Sequence, residues 1–148
     1  MKTKTLKYYM LKHGIDEDFL ENNVLYYVNT IYEAYERREL QGVRKGIDAC
    51  LRCIWADVDA ILNAYKEFEK AQRSDPEHEE DPLDRCLKKS GITPATLKNE
   101  TLMLIDKMIS GFAADEVIEP AELSIVEHTI NSIIWCWLES GGDTETNV

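Results

Sequence analysis

Residues 47–68, IDACLRCIWADVDAILNAYKEF, decide the fold. Ile47, Cys50, Leu51, Ile54, Val58, Ile61, Leu62, Tyr65 and Phe68 return every three or four residues, which places them on one side of an α-helix. No alternation with a period of two competes with this pattern. A buried stripe of that length requires partner surfaces, and other segments carry matching stripes. From Leu20 onward, Val24, Val28, Ile31 and Tyr35 recur at spacings of four, four, three and four, with Tyr27 and Tyr32 widening the band.

Punctuation along the chain agrees with these periods. A first helix is predicted from about Thr3 to Lys12, ended by Gly14, and Asp16 is placed to cap the next. A break at Gln41-Gly42 precedes the long helix, which is predicted to run to about Gln72. The stretch from Asp75 to Pro82 holds two prolines, five acids and no aliphatic residue, so it reads as an exposed loop joining two halves of one bundle. Pro82 opens a short helix that Gly91 closes. Thr93-Pro94 starts a helix carrying Leu97, Leu102, Ile105, Met108, Ile109 and Phe112, and Pro120 starts the last, through about Glu139. The expectation is an all-α single domain over residues 1–140, a bundle of five or six mostly antiparallel helices, with a disordered C-terminal tail at 141–148. No internal repeat is legible.

Composition narrows the function classes. The chain has 148 residues, 17 basic against 28 acidic, and a net charge of −11. Such a chain repels a phosphate backbone overall, which argues against general nucleic-acid binding. The basic residues gather at the start, in Lys2, Lys4, Lys7 and Lys12, where Tyr8 and Tyr9 interleave as a limited nucleic-acid contact would require. A second basic group is Arg37, Arg38, Arg44 and Lys45. The longest apolar run, Ile133 to Leu138, falls far short of the ~20 residues that a membrane helix needs. With no apolar leader, a cytoplasmic setting with reduced thiols is expected for Cys50, Cys53, Cys86 and Cys136. Cys50-Leu51-Arg52-Cys53 lies within a helix and supplies one close ligand pair where zinc usually takes two, so core packing is its reading. His13, His78 and His128 are the only imidazoles, and no nucleophile stands in a turn suited to a triad.

Two readings of function remain. Glu33-Ala34-Tyr35-Glu36 on one helix and Asp57 on the next can present carboxylates to Mg²⁺, which favours oxygen ligands. In this the chain resembles the all-α nucleoside triphosphate pyrophosphatases of the MazG type, whose pattern is Glu-x-x-Glu followed by Glu-x-x-Asp. The resemblance covers residues 24 to 65 and implies Mg²⁺ held by Glu33, Glu36 and Asp57, with Arg44 and Lys45 meeting phosphate. Ile54 stands at the fourth place of the pattern. The preferred reading comes from the last helix. Leu123, Val126, Ile130, Ile133 and Trp137 form one seam, while Ile125, His128 and Trp135 project to the other side at ~100° per residue. An isoleucine and a tryptophan together on a second face mean that the helix is either central in the bundle and buried or shared with a partner. The expectation is a small acidic interaction module of the inhibitor, immunity or nucleic-acid-mimic type. It would bind a basic surface on another protein through Trp135, His128 and Ile125 and the loop acids Glu77, Glu79, Glu80 and Asp81, or form a homodimer through the last helix. Trp55, ~100° off its own stripe, raises the same question of burial or contact.

Overall fold

The computed structural model describes residues 4–37, 40–114 and 118–140. Among these there are six helices and no strand. Helix α1 is Leu6–Lys12. Helix α2 spans 17–36 and is continuous through three pieces, Glu17–Phe19, a π-helical segment Leu20–Leu25, and Tyr26–Glu36. Helix α3 is Leu40–Arg73 and α4 is Pro82–Lys89. Helix α5 spans 94–113 as Pro94–Thr96, a π-helical segment Leu97–Leu102, and Met103–Ala113, and α6 is Pro120–Glu139. The expected all-α bundle is observed. The expected break at Gln41-Gly42 is not, because α3 runs through Gly42 and Gly46 from Leu40. A glycine inside a helix costs only about 1 kcal/mol, which the long buried stripe offsets. Arg38, the side chains of Arg44 and Lys45, and the expected tail at 141–148 lie outside the described residues.

Four helices form a ring in which α2 packs on α3, α3 on α5, α5 on α6, and α6 on α2. Helix α1 lies against α3, α4 lies against α6, and α1 touches α4. Both halves contribute to one continuous core. Exchanging residues 6–73 with residues 83–139 leaves this scheme of contacts unchanged.

That symmetry exposes an internal repeat that the sequence reading missed. Gly14 and Gly91, 77 residues apart, each end a helix at positive φ, 81° and 80°. Around them the hydrogen bonds match. Ile15 N–H donates to the Met10 carbonyl at 2.8 Å and Ile92 N–H to the Leu87 carbonyl at 2.8 Å. Two residues after each glycine a side chain caps the next helix, Asp16 receiving Phe19 N–H at 2.7 Å and Thr93 receiving Thr96 N–H at 3.2 Å. The π-helical segments then begin at the equivalent leucines, Leu20 and Leu97. Their cause is in the spacing. Leu20, Val24, Val28 and Ile31 step by four, four and three, as do Leu97, Thr101, Ile105 and Met108, and all eight are buried. Successive steps of four overshoot an α-helical turn, whereas the wider π turn, with i→i+5 hydrogen bonds, keeps them on one face.

In the third helix of each half the displacement becomes 72 residues, from Leu51 to Leu123, because α6 lacks the first two turns of α3. Leu51, Ile54, Val58, Ile61, Leu62, Ala64 and Tyr65 correspond to Leu123, Val126, Ile130, Ile133, Ile134, Cys136 and Trp137, and every member of both sets is buried.

Candidate interaction surface

Helix α6 begins with Pro120 in its first turn, where the missing N–H costs nothing. Its inner seam is sealed in the core. Its C-terminal end is held by Lys7 of α1, a buried lysine whose Nζ donates to the Trp137 carbonyl at 3.0 Å and to Ser140 Oγ at 3.4 Å. The same ammonium lies 4.7 Å from the Trp137 ring centroid. A cation at this end satisfies carbonyls that lack helical partners and favours the helix dipole. Lys7 is thereby taken up in the fold, which removes it from the N-terminal basic group that a nucleic-acid contact would need.

The outer face of α6 is uncovered. Ile125 is 47% exposed, Trp135 55% and Leu138 50%, with His128 also exposed. The internal repeat supplies a control for this face. The equivalent positions on α3 are Cys53, Asn63, Lys66 and Ala56, so the same site in the same fold is polar or small in the first half. Bundle formation therefore does not require tryptophan at 135 or leucine at 138. The helix also holds Glu122, Glu127 and Glu139 and no lysine or arginine. Glu122 meets Lys107 of α5 at 2.8 Å.

A further exposed pair was not anticipated. Tyr26 and Met103 occupy equivalent places at the ends of the two π-helical segments and are 60% and 62% exposed. Next to Met103 an open groove of about 470 Å³ runs between α5 and α6, and Ile125 lies in its wall. Neither π segment carries a sequence signal beyond the steps of four.

The acidic loop divides into two sets. Glu77, Glu79 and Glu80 are exposed as expected. Asp81 is only 6% exposed and is structural, which corrects its assignment as a binding residue. Its Oδ2 accepts from Leu83 N–H and Asp84 N–H, both at 3.1 Å, capping α4, and its Oδ1 accepts from Leu6 N–H at 3.1 Å, tying α4 to α1. Burial pushes its carboxyl above the usual range although these N–H donors pull the other way. Asp75, also buried, accepts from Glu77 N–H at 3.0 Å. Lys4 shares a cavity of about 160 Å³ with Glu77, Glu79 and Glu80, so this lysine faces the acidic loop.

The carboxylates of the Mg²⁺ reading are not brought together. Glu33 and Glu36 are exposed on α2. Asp57 is half-buried on α3, its Oδ2 enclosed without a hydrogen-bond partner, and burial raises its pKa to about 6. Among the described residues no three His, Cys, Asp or Glu side chains lie close enough to hold a metal ion. The cysteines are free thiols. Burial raises Cys50 and pushes Cys136 up to about 11, the behaviour of packed thiols rather than nucleophiles. Trp55 is half-buried against the core, and its Nε1 has no partner among the described residues. No helix of the described residues is long and apolar enough to cross a membrane. No protein family, curated protein or solved structure matches the chain.

Proposed function

We propose that this chain is a non-enzymatic interaction module that binds a basic site on another protein through the outer face of α6. The observation that carries this reading is the exposure of Trp135 and Leu138 at positions where the first half of the same fold has Asn63 and Lys66. Tryptophan is enriched among the side chains that dominate binding energy, and its burial by a partner is worth several kcal/mol. The net charge of −11, with no lysine or arginine on α6, supplies the complementary field, which accelerates encounter with a basic partner and disfavours acidic ones. Inhibitor, immunity and nucleic-acid-mimic proteins work in this way.

The test places a photo-crosslinking phenylalanine analogue at position 135 in cells that make the protein natively. The expected product is a covalent adduct with one basic protein, weakened by added salt and lost when Glu122, Glu127 and Glu139 are changed to Gln. Trp135→Ala should weaken the same complex at least tenfold while leaving the unfolding midpoint unchanged. Adducts only with a second copy of the chain would replace the basic partner with a homodimer. Mg²⁺-dependent release of pyrophosphate from any nucleoside triphosphate would overturn the non-enzymatic reading.

A further inference from the structure

The groove between α5 and α6 has an equivalent position in the first half, and the residues at the two places differ. In the second half the groove is walled by Met103, Leu104 and Ile125, with Asn99, Glu100 and Lys107 along its rim. The corresponding first-half wall is Tyr26, Tyr27 and Cys53. There the Cys53 thiol of α3 is near enough to Tyr27 of α2 to raise the tyrosine hydroxyl above its usual range. Leu104 carries no polar tip and is shorter than a tyrosine, and it shares the groove with Ile125.

We propose that this groove is the anchor site for one large apolar side chain borne on a lysine- or arginine-containing segment of a partner protein. The proposal rests on the interaction reading above and adds a second contact, ~15 Å along α6 from Trp135. The walls are apolar, which suits a leucine or phenylalanine side chain. The charge beside them chooses the segment. Lys107 is committed to Glu122 at 2.8 Å, and Glu100 on the rim is exposed. A second copy docking its own α6 here would bring three glutamates and no basic residue against Glu100, so a basic segment is the complementary occupant.

The experiment uses the full chain and two synthetic helical peptides. One consists of leucine and lysine with a single central phenylalanine, and the other has glutamate in place of every lysine. Titration followed by ¹⁵N–¹H correlation spectra should shift the amides of Met103, Leu104 and Ile125 with the lysine peptide and none with the glutamate peptide. The double variant Leu104→Tyr/Ile125→Cys, which installs the first-half residues, should weaken binding at least tenfold. Met103→Ser, at an exposed position that leaves the core intact, should weaken it in the same direction. Shifts confined to Glu77, Glu79 and Glu80, or equal affinity in all variants, would overturn the groove. Self-association in sedimentation that both variants abolish would assign the groove to a second copy and overturn the basic segment. Trp135→Ala should leave peptide binding intact. Loss of groove binding with retained crosslinking at position 135 would therefore sink the anchor site alone, and loss of crosslinking with retained groove binding would sink the α6 reading alone.

Discussion

Asp57→Asn is expected to stabilise the protein at neutral pH. The wild-type carboxyl sits half-buried on α3 with Oδ2 enclosed and without a partner among the described residues, and burial raises its pKa from 3.8 to about 6. Between those two values the folded state binds more protons than the unfolded state, so stability falls as pH rises through that window and is level above it. Each pKa unit is worth about 1.4 kcal/mol, a ceiling of about 3 kcal/mol. Residual solvent contact screens a half-buried group, which leaves about 1–2 kcal/mol. Asparagine is neutral at every pH and nearly isosteric with the protonated acid. Urea unfolding of both proteins at pH 4, 5, 6, 7 and 8 should therefore give nearly equal stabilities at pH 4. The gap in favour of the variant should open between pH 4 and 6 and stay constant above. A variant less stable at pH 7, or a gap independent of pH, would refute burial as the source of the shift.

Other outcomes follow from single contacts. Asp81→Ala removes the α4 cap and leaves Leu6 N–H without its acceptor, and should cost about 2 kcal/mol in urea unfolding, well beyond an ordinary surface change. Gly14→Ala and Gly91→Ala force a side chain into positive φ and should each cost about 1–2 kcal/mol, with nearly equal losses because the two turns are equivalent. Ile130→Ala, in the inner seam of α6, should cost about 2–5 kcal/mol, while Trp135→Asn with Leu138→Lys, the α3 residues at the same places, should change stability by less than about 0.5 kcal/mol.

Helix periods and their stops were legible because each rests on local physics. The stripe from Ile47 to Phe68 and the glycine stops at 14 and 91 require only the neighbouring residues, and the structure places them as read. The placement of Ile125, His128 and Trp135 opposite the inner seam followed from the phase of α6 alone, whereas their exposure depends on how the other helices pack. What failed depended on distant residues. Asp81 looks like any acid in an acidic loop until Leu6, from the other half, donates to it. Asp57 looks like a metal ligand until α2 and α3 are in place and its intended companions Glu33 and Glu36 point to water. The repeat was hidden for a similar reason. Within its first two helices the shared identities are Leu6, Lys12, Gly14, Ile15, Leu20, Asn22 and Leu25 against Leu83, Lys89, Gly91, Ile92, Leu97, Asn99 and Leu102, and the displacement changes before the third helix. Burial conserves size and polarity at those positions more than residue type.

The two halves then act as mutual controls, and their divergence separates folding from function. Lys7 and Asp84 are equivalent, both are buried, and they carry opposite charges. Each nevertheless finds a partner at the equivalent place on the other half. Lys7 lies over Trp137, and Asp84 accepts from Tyr65 Oη at 3.0 Å and meets Lys88 at 3.0 Å. A buried charge without partners would cost several kcal/mol, so the fold answered each change with a compensating contact. No such compensation exists for Trp135 and Leu138. Their first-half counterparts, Asn63 and Lys66, are water-facing, and nothing in the described chain covers the apolar side chains that stand in their place. Where the protein needed a change for folding it supplied the partner from within. On the outer face of α6 the described residues supply none, and this difference is what supports the proposed interaction surface.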